Sequence, residues 1–151
     1  MLAEKEIENT LGTAVLPSGG EYGLVKSRAG VQVETADKIG VVTVAVGTRS
    51  HDNFSLPTLN FTGQIVVATR KELDPTGAKH EAAVESVFAA LSLLHDVPDN
   101  LATLFASSTF QPAALRLDGG QMPDLEGEVL TDAIGFTLRG VLAQAAPEPV
   151  E

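Results

Sequence analysis

The sequence predicts an α+β domain, a mostly antiparallel (mixed) sheet with one long and two short helices packed on it. Three observations predict it. The apolar spacing starts helical, turns to β runs between Val41 and Arg70, becomes helical again from Ala78 to Leu94, and ends in alternation. The chain has 151 residues, 44% of them hydrophobic, which suffices to bury one core. No repeat and no linker divides it, so residues 1–144 read as one domain and 145–151, with Pro147 and Pro149, as a flexible tail.

Ala3, Ile7, Leu11 and Ala14 lie four, four and three residues apart, which predicts a helix over Leu2–Ala14. Glu4, Lys5, Glu8 and Asn9 fall on its other face, assigned to water, and Pro17 with Gly19-Gly20 closes it. The glycine-spaced stretch Ser18–Gly40 reads as a mobile loop with a short strand near Val31–Glu34. Val41–Thr48 is nearly pure β-former, the pattern of a strand buried on both faces. In Leu59–Arg70, Leu59, Phe61, Ile65 and Val67 fall on one side, and Gly63 marks a bulge or a close backbone approach.

Asp74-Pro75 then predicts a helix start, a capping carboxylate followed by a ring suited to the first turn. The helix follows to Leu94 with Val84, Val87, Phe88, Leu91 and Leu94 as its apolar stripe. Pro98-Asp99 opens a short helix to about Phe105, burying Leu101, Leu104 and Phe105. Ala113–Leu117 reads as a strand ending in a turn at Asp118-Gly119-Gly120. The alternation of Ile134, Phe136 and Leu138 gives the last strand, to about Leu142.

Composition removes several kinds of chemistry. The absence of cysteine excludes disulfides, thiolate metal sites and a cysteine nucleophile. Twenty acidic against ten basic residues give a net charge of −10, which disfavours broad contact with nucleic-acid phosphates. Stacking on bases has little support either, with no Trp and Tyr22 the one tyrosine. The acidic opening Ala3–Glu8 does not fit a signal peptide and no run is long enough for a membrane span, so a soluble chain made in a cytoplasm is expected. Asn53-Phe54-Ser55 and Asn60-Phe61-Thr62 match the glycosylation pattern and read as chance.

No phosphate-binding loop, dinucleotide fingerprint or nucleophile elbow is present. His80-Glu81 begins like a zinc-protease helix, but the position of the second histidine holds Val84. His80 reads instead as a first-turn residue of the long helix, and His95 as a cation just past its end, facing the helix dipole. Asp118, Asp124, Glu126, Glu128 and Asp132 read as a solvated acidic loop, off the calcium-loop spacing. No cofactor, metal or catalytic residue is therefore expected. The catalytic alternative is a small hydrolase or ligand-binding domain in which the pairs His51-Asp52, His80-Glu81 and His95-Asp96 bring three histidines to one pocket.

From the long central strand onward the chain resembles the tail-terminator and tail-completion proteins of long-tailed bacteriophages. The likeness is carried by Gln64-Ile65-Val66-Val67-Ala68-Thr69, the turn Asp74-Pro75, the helix from Lys79-His80-Glu81 through Leu91, and Pro98-Asp99-Asn100-Leu101. Pro112–Leu117 and Gly135-Phe136-Thr137-Leu138-Arg139-Gly140 continue it, and it spans roughly Leu59 to Ala143. The resemblance implies a non-catalytic virion protein, sited in the tail or neck, that forms a ring with copies of itself, commonly six. Its implied partners are the tail tube protein and the head–tail connector protein, and some relatives serve instead as neck or minor tail components. Specific nucleic-acid and membrane binding are not expected. Lys26 and Arg28, and Arg70 and Lys71, are the only close basic pairs and are the expected contacts to a neighbour's carboxylates.

Overall fold

The computed structural model describes residues 2–17, 21–26, 38–51, 58–106, 110–120 and 129–142. Their order is α1 (Leu2–Val15), β1 (Tyr22–Lys26), β2 (Gly40–His51), β3 (Thr58–Arg70), α2 (Ala78–Asp96), α3 (Pro98–Leu104), β4 (Phe110–Gly120) and β5 (Val129–Leu142), with a single 3₁₀ turn at Lys71–Leu73. The strands form one sheet in the order β1-β2-β3-β5-β4. Only β1 and β2 run parallel; the other three pairings are antiparallel. The fold is thus α+β on a mixed, mostly antiparallel sheet.

The helices cover one face. Val42, Val44 and Val46 of β2 pair with Val67, Ile65 and Gly63 of β3, which pair in turn with Asp132, Ile134 and Phe136 of β5. Strand alternation therefore points one row of every strand at α1 and α2, and that row supplies most of the core. Phe110 fills one end, edge-on to Phe61 at 5.3 Å and to Phe105 at 5.8 Å between ring centres. The opposite row of β2 (Val41, Thr43, Ala45) is half-buried. The expectation of a strand buried on both faces is corrected: no helix covers that second face among the described residues.

Other expectations shift for tertiary reasons. The stretch after Gly20 yields β1 at Tyr22–Lys26, while the expected strand at 31–34 and the tail at 145–151 lie outside the described residues. Gly63 is both a close approach and the partner of a bulge, since the β2–β3 register slips between Val46 and Thr48. The expected turn at Asp118-Gly119-Gly120 is part of β4, because β5 keeps pairing through Asp118↔Gly135 and Gly120↔Ile134 with one irregularity between them. Asp118 and Asp132 thus sit in two different strands rather than in one acidic loop.

In α2 the buried stripe is His80, Ala83, Val87, Leu91 and Leu94; Val84 is half-buried and Phe88 is 52% exposed. The buried side of the helix is thus the one that carries Ala83, and the helix packs against α1, α3, β3, β4 and β5. In α1, Ile7, Leu11 and Val15 form the core row and Ala14 is only half-buried. Glu4 and Glu8, expected in water, are buried, and Glu8 Oε2 accepts the Val46 N–H at 3.0 Å beside the bulge. A bulge frees a backbone donor that the ladder no longer pairs, and this carboxylate receives it.

Candidate functional site

Polar side chains collect under the first turns of α2. Gly77, in the left-handed region at φ 75°, caps the helix, and its carbonyl accepts the Glu81 N–H. The helix therefore starts at Ala78, four residues after Asp74, rather than at Asp74-Pro75. Asp74 still serves the end: its carboxylate accepts the His80 N–H at 2.8 Å and the Lys79 N–H at 3.3 Å. That carboxylate pins His80 by its backbone and turns the imidazole inward, 5% exposed.

The imidazole joins a chain of four side chains from four elements. Tyr22 Oη lies 2.7 Å from Thr69 Oγ1, Thr69 Oγ1 2.6 Å from His80 Nδ1, and His80 Nε2 2.7 Å from Asp132 Oδ2. One proton arrangement satisfies all of them with a neutral ring. Tyr22 donates to Thr69, Thr69 donates to Nδ1, and Nε2–H donates to the Asp132 carboxylate. Burial raises the Tyr22 phenol above its ordinary pKa; the Thr69 hydrogen bond lowers it, and the charges of Asp74 and Glu21 raise it again. No buried side-chain polar atom lacks a partner among the described residues.

The chain crosses beneath α2 and ends at a groove on each side. Tyr22 borders one of about 240 Å³, with Pro17, Glu21 and Lys79. Asp132 borders the other, about 320 Å³ and largely apolar.

Thr69, His80 and Asp132 have the order of a hydroxyl–imidazole–carboxylate triad. The Thr69 hydroxyl, however, is 0% exposed and already bonded to Tyr22, so in this conformation no substrate carbonyl can reach it. The arrangement can hold a proton in place and lock four elements together. The three-histidine pocket is not assembled: His80 and His95 occupy opposite ends of α2, about 22 Å apart along its axis. His95 lies inside the last turn rather than beyond it, and its Nδ1 is 2.9 Å from Asp96 Oδ1. No group of three potential metal ligands forms among the described residues.

The expected partner contacts are dispersed. Arg70 ends β3 and Lys71 opens the 3₁₀ turn, so these two stay adjacent; both are half-buried with intramolecular partners. Lys26 closes β1 opposite Val44, whose β3 partner Ile65 is five residues from Arg70, about 16 Å further along the sheet. Arg28 lies outside the described residues. Sequence reasoning placed His80 but missed Thr69 and Asp132. Both continue the inward row of their strands (Ile65, Val67, Thr69 and Asp132, Ile134, Phe136), and a polar residue in such a row needs a partner. No protein-family model matches this chain, and no curated protein matches it.

Proposed function

We propose that this protein is a non-catalytic virion component that assembles into a ring, commonly six-fold, to terminate or complete a phage tail tube and meet the head-side connector. The observation that carries the reading is the order helix, three strands, two helices, two strands, folded into a sheet with two unlike edges. Among the described residues the outer edges of β1 and β4 pair with no other strand. A closed ring needs such a pair of different patches on each subunit, so that the edge of one copy meets another surface of the next. Pro112 in β4 and the shortness of β1 keep the edges from pairing indiscriminately. The net charge of −10 suits a passage that DNA crosses without adhering.

The test is light scattering and negative-stain microscopy of the protein, alone at high concentration and with purified tail tubes. Rings, or tubes capped at one end, are the expected result. Arg28→Glu with Arg70→Glu should shift the assembly toward monomer. A chain that stays monomeric and leaves tube ends bare overturns the proposal.

A further inference from the structure

The groove beside Asp132 combines apolar walls with an acidic rim. Its walls are apolar (Val84, Phe88, Ala133 and Ile134 among them), and among the described residues the charged side chains that line it are Glu85 and Asp132. Phe88 stands half-exposed on the flank of α2, leaving about half of its ring in water. Asp132 spends Oδ2 on His80, and its other oxygen takes no hydrogen bond among the described residues. Glu85 has no ion-pair partner there either. Two carboxylates bordering low-dielectric walls, with no lysine or arginine paired to either among the described residues, attract positive charge more strongly than the same groups would in open water.

Shape narrows the occupant. About 320 Å³ is the lower end of what a small ligand fills, and the groove is open along one side, so a free small molecule would keep much of its surface in water. A side chain projecting from a larger surface would be covered by its own backbone and neighbours. A second copy of this chain would bring its own negative excess to an acidic rim. We infer that the groove docks another protein through an aromatic or branched apolar side chain that lies next to a lysine or arginine. The apolar group packs against Phe88 and Ile134, and the cation reaches Asp132 and Glu85. This inference does not depend on the tail reading, since peptide binding and ring formation can each fail without the other.

The experiment is an amide-resolved NMR titration of the full chain with three probes: N-acetyl-Phe-Lys-amide, N-acetyl-Phe-Glu-amide and N-acetyl-Gly-Lys-amide. The Phe-Lys probe should give saturable shifts confined to Val84–Ala89 and Asp132–Ile134, at least about fivefold tighter than either of the others. Phe88→Ser should weaken it by a similar factor. Glu85→Lys, at an exposed position that leaves the fold alone, should remove the preference for lysine over glutamate. Asp132→Asn is a second variant for the same preference, with the His80 ring resonances reporting whether the network survives. Absence of saturable shifts, equal binding of Phe-Glu, or indifference to Glu85→Lys overturns the inference. So do concentration-dependent shifts at these residues without peptide, which would make a second copy the occupant.

Discussion

Phe136 of β5 lies over Gly63 of β3, directly opposite it in the register. A Cβ at Gly63 would stand 2.8 Å from the ring and 2.4 Å from the Ala45 carbonyl oxygen. Tyr22 covers Gly40 in the same way, and Phe110 covers Gly140. In each case an aromatic side chain from a neighbouring strand takes the space that the glycine leaves in the inward row. Gly63→Ala should therefore cost at least about 2 kcal/mol, because one of the clashing atoms is backbone and cannot rotate away. Gly47→Ala is the control: its nearest neighbour would be Thr62 O at 3.6 Å, an ordinary contact, and stability should hold within about 0.5 kcal/mol. Urea denaturation of the two variants measures both.

Leu91 and Phe88 separate the observed rotation of α2 from the stripe expected from spacing. Leu91 is fully buried, so Leu91→Ala should cost about 2–5 kcal/mol. Phe88→Ala should cost well under 1 kcal/mol. Equal losses in thermal or chemical unfolding would mean that Phe88 belongs to the core.

Thr69→Val keeps the shape of the side chain and removes its hydroxyl, leaving Tyr22 and His80 each short of a partner. The expected loss is about 1–3 kcal/mol. Combined with His80→Leu, the second substitution should cost less than it does alone, because the partner is already gone. Strict additivity in the double-mutant cycle would contradict the shared network.

Tyr22 sets a pH limit. Its folded pKa is raised above the ordinary value of about 10, so above that pH the unfolded chain loses the phenolic proton while the folded chain still holds it. The unfolded state then binds fewer protons, and stability falls as pH rises from about 10 toward the folded pKa; below pH 9 this contribution is flat. The chain has a single tyrosine and no tryptophan, so tyrosinate absorbance reports this one group. A titration midpoint at or below the ordinary value would remove the argument.

Glu8→Ala should release the Val46 N–H at the bulge and cost about 1–3 kcal/mol. Hydrogen exchange at the Val46 amide should quicken more than at Val44 or Val42, its neighbours in the regular ladder. Uniform change along β2 would indicate general destabilisation instead of a local anchor.

Most element boundaries were legible in spacing and punctuation. Pro98 opens α3 where expected, and Leu59, Phe61, Ile65 and Val67 form the inward row of β3 that alternation predicts. The start of α2 was displaced because Asp74 acts at a distance, with Gly77 in the left-handed conformation doing the capping. The site was largely illegible. Positions 22, 69, 80 and 132 share no motif, and they meet only because β1, β3 and β5 lie under one helix end.

By itself the sequence determined the α+β class, the kind of every main element but β1, and the rows of β3 and β5 that face inward, because apolar periodicity is a property of a few consecutive residues. Only the tertiary structure decided that Phe88 stays at the surface, that Glu8 is buried at a bulge, and that hydrogen bonds join Tyr22, Thr69, His80 and Asp132. Those outcomes depend on strand register and on the side from which α1 and the sheet approach α2, and neither is encoded in local spacing.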